Sequence, residues 1–222
     1  MKIKTIAISV TAFVLLGGVI GVQQYISSQI TSKVQQEMPN ASGISASVPL
    51  ADVPSNLTSD SIKSADINIK SFALKESGTK TSLDISASSI SKAKPTLIGS
   101  LEVTATIPAS TITKASEFND AQIVGNTLQV SAGAGGMGTA LLIPKFSNNQ
   151  LYFELQSVSI FGNQIAASSL PADLQDQIKT KSQRSLTPPK GLKVKSVSLS
   201  SKGLSVKMFG NNIQLGNLGS GL

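Results

Sequence analysis

The chain has 222 residues, of which 40% are hydrophobic and only 4% aromatic, and it contains no Trp, Cys or His. These absences exclude disulfides, cysteine nucleophiles, thiolate metal sites and the usual general base near neutral pH. Its formal net charge is +7, and the residues after Asp176 include eight basic side chains and no acidic one (Lys179, Lys181, Arg184, Lys190, Lys193, Lys195, Lys202 and Lys207).

The chain opens with a candidate membrane segment, residues 1–22. Lys2 and Lys4 precede an uncharged apolar run of eighteen residues, 5–22, which as a helix spans about 27 Å, close to the ~30 Å hydrocarbon core of a bilayer. We predict a signal anchor that crosses the cell membrane once and leaves the domain outside the cytoplasm. The alternative is a cleaved signal peptide and a secreted protein, although no A-x-A site follows the run.

Two further patterns divide the rest of the chain. Apolar residues recur at every fourth position from Ile26 to Met38, which predicts a helical stalk over 23–40. Beyond it the period changes to two, which is typical of strands. Strands are predicted over 62–74, 83–87, 101–107, 122–124, 127–132, 139–145 and 151–160, and in a final hairpin of 192–199 with 204–209. With helices over 108–117 and 168–180, these strands predict an α+β domain over 41–215, followed by a flexible tail over 216–222.

Residues 133–138 spell G-x-G-x-x-G, the fingerprint of a dinucleotide-binding turn. That fingerprint belongs between a strand and a helix, whereas both flanks here have the period of strands. We interpret the motif as a glycine-rich turn or bulge. No nucleophile elbow is present and the carboxylates are scattered, so we predict no catalytic residue, no metal site, no cofactor and no enzymatic activity.

The basic C-terminal quarter favours an anionic partner. Lys193 and Lys195 alternate with Leu192 and Val194, which places both lysines on one face of a strand. Phe209 is the only aromatic residue among these lysines, so the stacking surface that nucleic acids require is not indicated. The more specific hypothesis is that these lysines contact anionic lipid headgroups. The simpler hypothesis is that they lie on a solvated outer face.

Several segments together resemble a known family. They are Val158–Gln164, Leu170–Pro171 with the helix that follows, Pro188–Val197 and Gly203–Gly210, with support from Leu101–Ser116. They are similar to the LmeA-like phospholipid-binding proteins, which are exported cell-envelope proteins of actinobacteria. The resemblance covers most of residues 44–215. It implies half of a tubular, BPI-type (TULIP-like) module, in which a curved antiparallel sheet wraps around a long amphipathic helix.

The resemblance and the apolar pattern together predict a tethered phospholipid-binding or lipid-shuttling protein without enzymatic activity. Acyl chains are expected between the sheet and the helix over 168–180, and Lys193 and Lys195 are candidates for headgroup contact. The candidate lining residues are Leu128, Val130, Leu141, Ile143, Phe153, Leu155, Leu174, Ile178, Val194, Leu204 and Val206. The alternative is a structural or scaffolding envelope protein, which binds a protein or an anionic polymer through its basic face. No particular protein partner is indicated.

Overall fold

The computed structural model describes most of the chain after residue 40, which is built largely from antiparallel strands with two short α-helices. The described residues are 6–7, 28, 31–32, 35, 41–52, 56, 59–73, 80–93, 96–115, 118, 120–132 and 137–214. The chain divides into two compact units. One unit comprises 1–6, 106–187 and 196–206, and the other comprises 7–105, 188–195 and 207–222.

The elements are numbered in chain order. The strands are β1 (Ile6–Ala7), β2 (Ala41–Ser47), β3 (Ser61–Ala73), β4 (Lys80–Ser91), β5 (Leu97–Pro108), β6 (Gln122–Val124), β7 (Thr127–Ala132), β8 (Gly138–Ser147), β9 (Gln150–Ile160), β10 (Asn163–Ala166), β11 (Arg184–Thr187), β12 (Lys193–Ser200) and β13 (Gly203–Gln214). The helices are α1 (Ala109–Ala115) and α2 (Ala172–Ser182), and short 3₁₀ turns lie at Leu50–Asp52 and Ala167–Ser169.

A seven-stranded sheet has the order β1-β11-β9-β8-β7-β6, with β10 also pairing with β9. Strands β6 to β9 form an antiparallel meander. Within it Leu128 lies opposite Leu142, and Leu142 lies opposite Leu155. All three side chains are buried. Opposed residues of neighbouring strands point to the same side of a sheet, so the meander has one apolar face.

A six-stranded sheet has the order β12-β13-β5-β4-β3-β2. In the antiparallel pair β3–β4, Ile67 lies opposite Ile85 and Ile69 opposite Leu83, and these four side chains are almost fully buried. The ladder shifts register between Ile69 and Phe72. The sequence breaks its alternation at the same point, because Ile69 follows Ile67 after two residues whereas Phe72 follows Ile69 after three.

The other face of this sheet is polar. Asn68 Nδ2 donates to Asp84 Oδ1 at 2.5 Å, and Ser86 Oγ donates to Asp66 Oδ1 at 2.6 Å, in both cases between β3 and β4. Short polar side chains therefore pair across the strands on the exposed side. This alternation of apolar and polar faces is the pattern expected of an antiparallel sheet that buries one side.

The sequence located most of the strands and missed several of them. The predicted helix over 108–117 and the strands over 122–124, 127–132, 139–145 and 151–160 all have counterparts within a few residues. Strands β2, β10 and β11 were not predicted. Strands β10 and β11 have four residues each, NQIA and RSLT, which are too few to show a period, and both pair with β9.

The second helix differs from the prediction in position and in burial. It begins at Ala172 instead of Ser168, because residues 167–169 form a 3₁₀ turn and Pro171 occupies the N-cap. None of its eleven residues is buried. The expectation that the sheet wraps around this helix is therefore wrong for α2, which is a short surface helix.

Most of the predicted leader and stalk lies outside the described residues. Ile6–Ala7 forms a two-residue strand where the sequence predicts a membrane helix, and Ser28, Thr31, Ser32 and Gln35 are helical, as the stalk requires. No helix within the described ranges is long and apolar enough to cross a membrane. The predicted tail over 216–222 also lies outside the described residues.

Candidate functional site

Four of the predicted lipid-lining residues share the apolar face of the seven-stranded sheet. Leu128 and Val130 lie on β7, and Phe153 and Leu155 lie on β9. Strand β8 connects them, because it sets Ala140 opposite Val130 and Leu142 opposite Leu155. All four predicted residues are at most 9% exposed. They form one continuous aliphatic surface with a single ring, that of Phe153.

Leu141 and Ile143 do not belong to that surface. The side chains of a strand alternate between faces, and the register of β8 gives the buried face to Ala140, Leu142 and Pro144. Leu141 and Ile143 are half-buried on the opposite face, where Ile143 lies across from the exposed Glu154. The sequence does not reveal this phase, because residues 140–144 are apolar without a break.

The two helical candidates lie outside that aliphatic surface as well. Leu174 is 39% exposed and Ile178 is half-buried. Helix α2 contacts β9, and the Lys179 ammonium lies 4.8 Å from the centroid of the Tyr152 ring. Tyr152 alternates with the buried Phe153 and so points away from the aliphatic surface. Leu174 and Ile178 therefore do not belong to the buried aliphatic surface of β7 and β9.

The last three lining candidates lie on the other sheet. Leu204 and Val206 on β13 are buried, and Val194 on β12 is half-buried. Strands β12 and β13 are neighbours in the six-stranded sheet. The eleven predicted residues are thus divided between two sheets and helix α2.

A charged cluster lies on the polar face of the six-stranded sheet. Glu102 Oε1 accepts a bond from Lys207 Nζ at 2.7 Å, and Glu102 Oε2 lies 3.8 Å from Lys195 Nζ. The Lys195 ammonium is also 6.0 Å from the centroid of the Phe209 ring. The three charged residues come from β5, β13 and β12. Two ammonium groups against one carboxylate leave this cluster with a net charge of about +1 at neutral pH.

The two lysines hold the pKa of Glu102 below its ordinary value of 4.5. The hydrogen bond from Lys207 is the largest cause, and the positive charges of Lys207 and Lys195 act in the same direction. Partial burial of the carboxyl opposes them. Glu102 is therefore ionised at neutral pH, where it accepts the hydrogen bond of Lys207 and attracts the Lys195 ammonium group.

Of the predicted headgroup contacts, Lys195 belongs to this cluster, and Lys193 is an exposed neighbour two residues earlier on β12. Sequence reasoning missed Glu102, Lys207 and Phe209. The alternation of β13 is the sequence feature that indicates Lys207 and Phe209. Both occupy half-buried positions that alternate with the buried Val206, Met208 and Gly210. Which strands stand next to β13 depends on the fold, so their proximity was not readable from the sequence.

The glycine motif connects two antiparallel strands, as interpreted from the sequence. Ala132 at the end of β7 pairs with Gly138 at the start of β8. A Cβ atom at Gly138 would lie 2.9 Å from the Ser159 carbonyl oxygen, so the last glycine allows close approach of β9. No helix follows the motif, which excludes the strand-turn-helix geometry of a dinucleotide site.

Comparisons of the chain with protein-family models, with curated proteins and with solved structures found no match. A proposal for its function therefore rests on the residues and contacts described above.

Proposed function

We propose that this chain is an extracytoplasmic, membrane-tethered protein that binds or shuttles phospholipid and catalyses no reaction. The family proposed is the LmeA-like phospholipid-binding family of the cell envelope. The ligand class is a phospholipid with an anionic headgroup. The single observation that carries the proposal is the aliphatic character of the buried sheet faces.

Among the buried hydrophobic side chains that the structure describes, only Phe72 and Phe153 are aromatic. The remainder are Ile, Leu, Val, Ala and one Met. Aliphatic surfaces of this kind suit flexible acyl chains, because they offer dispersion contacts and no polar group that requires a partner. The face shared by Leu128, Val130, Phe153 and Leu155 is the best candidate for acyl-chain contact.

The charged cluster supports an anionic headgroup. Lys195 and Lys207 present two ammonium groups that Glu102 neutralises only in part. Lys193 adds a third exposed cation on the same strand as Lys195. Each basic residue near an anionic bilayer surface is worth about 1 kcal/mol. A tether would make even this weak attraction effective, because it keeps the local lipid concentration high.

The proposal includes a finer architecture, in which a curved sheet wraps around a long amphipathic helix. Helix α2 is not that helix, since none of its residues is buried. The predicted stalk over 23–40 has the length and the apolar period that such a helix needs. The predicted signal anchor over 1–22 places the domain outside the cytoplasm in this proposal.

A lipid-transfer measurement tests the function. The full chain is reconstituted into donor vesicles that contain self-quenched fluorescent phosphatidylglycerol or phosphatidylcholine, and dequenching is followed after acceptor vesicles are added. We expect transfer above that of protein-free vesicles, and faster transfer of the anionic lipid. The double variant K195Q/K207Q should lower the preference for anionic lipid by about tenfold or more, since it removes two cations.

Lys202→Gln is the matched control, because Lys202 is an exposed lysine in the turn between β12 and β13, outside the cluster. It should leave the preference unchanged. Transfer no faster than in protein-free vesicles, with no lipid found in a lipid extract of the purified protein, contradicts the proposal. That result would favour the scaffolding alternative, in which the basic face binds a protein or an anionic polymer.

A further inference from the structure

Three hairpins in the seven-stranded sheet turn through two residues each, and one of them has an unusual composition. The flanking pairs are Val124 with Thr127, Ser147 with Gln150, and Ile160 with Asn163. The first two turns are Gly125–Asn126 and Asn148–Asn149, the residues that two-residue hairpins favour. The third turn is Phe161–Gly162.

Phe161 has a backbone conformation that large side chains rarely adopt. Its φ is 50°, followed by 81° at Gly162, and Asn148 and Asn149 have φ values of 50° and 57°. The two turns thus have equivalent left-handed geometry. The other described residues with positive φ are all Gly, Asn, Asp or Ser. Asparagine satisfies this geometry at low cost, so backbone preference does not account for a phenylalanine at this apex.

The aromatic ring is also exposed, and it has exposed apolar neighbours. Phe161 is 79% exposed, Met137 is 59% exposed and Ile160 is 39% exposed. Gly138 and Ile160 form the last pair of the β8–β9 ladder. Met137 precedes Gly138 and Phe161 follows Ile160, so in this antiparallel pair the two residues are neighbours just beyond the ladder. These three residues, which we call the apolar tip, occupy one end of strands β8 and β9.

The strands around the apolar tip carry almost no charge. No charged residue occurs over 121–144 or over 155–172. Asp120 is the charged group that the structure places nearby, where it accepts a hydrogen bond from Ser131 at 3.3 Å. The opposite end of the same two strands has Lys145 and Glu154, paired at 3.4 Å. Along β8 and β9 themselves, the charged residues therefore lie away from the tip.

We infer that the apolar tip inserts into the interfacial region of a phospholipid bilayer. A protruding ring with apolar neighbours, on strand segments without a charged residue, suits the boundary between headgroups and acyl chains, where apolar groups gain burial and charges are costly. The inference rests on the proposed function, since it names the surface through which the protein meets the membrane. The predicted leader ends at Val22, and eighteen residues separate it from β2. As the predicted helical stalk they would span about 27 Å, which would keep the domain near the bilayer.

The absence of tryptophan from the chain permits a direct test, since one substitution creates a single fluorophore. The full chain with F161W is reconstituted into vesicles of phosphatidylcholine brominated along its acyl chains, which quench tryptophan on contact. The matched control is N148W, at the equivalent backbone position of the turn at the other end of β8 and β9. We expect strong quenching of F161W and weak quenching of N148W.

A second reporter measures the contribution of the phenylalanine ring. M137W places the fluorophore on the neighbouring residue of the tip while Phe161 remains. Addition of F161N should then lower the ratio of inserted to free protein by about tenfold or more, because insertion of a phenylalanine side chain removes its apolar surface from water. Quenching should persist in ~1 M salt, because this contact does not depend on charge.

Equal quenching of F161W and N148W overturns the inference, and so does loss of the F161W signal in high salt. A blue-shifted F161W emission without quenching by the lipid also overturns it, since the tip is then covered by protein. The transfer assay on the same vesicles separates the two proposals. Lipid transfer without preferential quenching removes the tip inference alone, whereas quenching without transfer supports the tip and contradicts lipid shuttling.

Discussion

Glu102 shows how one residue couples three strands of the six-stranded sheet. Its carboxylate holds Lys207 at 2.7 Å and Lys195 at 3.8 Å, and both ammonium groups lower its pKa. A carboxyl group whose pKa is lower in the folded state stabilises the fold at any pH above its ordinary pKa. That contribution is lost as the pH falls through the lowered value.

We predict that Glu102→Gln lowers the free energy of unfolding at pH 7 by up to about 1 kcal/mol, as for a partly exposed ion pair. The difference from the wild type should shrink as the pH falls below 4.5 and disappear below the lowered pKa of the folded state, where both folded and unfolded chains carry a protonated Glu102. Urea denaturation of both proteins at a series of pH values measures this difference in the free energy of unfolding. Glu154→Gln removes a more exposed ion pair, to Lys145, and should have a smaller effect. A difference between E102Q and the wild type that stays constant from pH 7 to pH 3 would contradict the argument.

At Phe161 the proposed membrane contact favours phenylalanine, whereas the stability of the turn favours asparagine. In the left-handed region the side chain of an L-residue costs roughly 1–2 kcal/mol, and asparagine tolerates the region better. We therefore predict that Phe161→Asn raises the free energy of unfolding by about 1 kcal/mol and the melting temperature by about 2–4 °C. Differential scanning calorimetry measures both quantities.

The reciprocal change is the control for this prediction. Asn148 occupies the same position of an equivalent turn, so Asn148→Phe should destabilise the protein by a similar amount. If F161N proves less stable than the wild type, then the ring of Phe161 makes stabilising contacts within the protein, and its exposure has another explanation than membrane insertion.

Among the secondary-structure elements, helix α2 has a structural role that its polar sequence does not indicate. On one side β9 pairs with β8, but on the other it pairs with β11 only near Leu151 and with β10 only from Ser157 onward. Between these two short strands, Ser182 Oγ at the end of α2 accepts a bond from the Phe153 N–H at 2.9 Å. The same hydroxyl lies 2.8 Å from the Ile178 carbonyl oxygen, to which it can donate. One serine thus replaces a strand partner along the edge of β9.

We predict that Ser182→Ala lowers the free energy of unfolding by about 1–2 kcal/mol, because it leaves the partly buried Phe153 N–H without its acceptor. Hydrogen exchange at the Phe153 amide should become faster, which a general loss of helix stability does not by itself require. Thr180→Ala removes an exposed hydroxyl from the same helix and is the matched control. Unchanged exchange at Phe153 in S182A would contradict the proposed role of this serine.

The accuracy of sequence-based prediction also differed from element to element. The β3 strand was recognisable even at its irregularity, since the break in alternation corresponds to the register shift between Ile69 and Phe72. In β8 the sequence did not show which face is buried, because residues 140–144 are all apolar and either set of alternating positions gives an apolar face. The register with β7 and β9 selected Leu142 for the buried face and left Leu141 on the other.

For the whole molecule, the main gap between sequence and structure concerns which residues come together. The candidate lining residues were chosen because each lies at an apolar position of an alternating strand or a helix. Four of them, Leu128, Val130, Phe153 and Leu155, do share a face. The others lie on the opposite face, on α2 or on the six-stranded sheet, because neighbours in a sheet are set by topology and not by the period of any one strand.

The sequence by itself determined the strand-rich class, the approximate positions of the long strands, the aliphatic composition of the interior and the concentration of positive charge in the C-terminal quarter. These properties follow from local period and composition, which any fold of this chain must respect. The tertiary structure decided the phase of β8, the exposure of α2, the Glu102–Lys195–Lys207 cluster and the apolar tip around Phe161. Each of these depends on contacts between residues distant in the chain, or on a backbone conformation that Phe161 does not favour and that the paired strands impose.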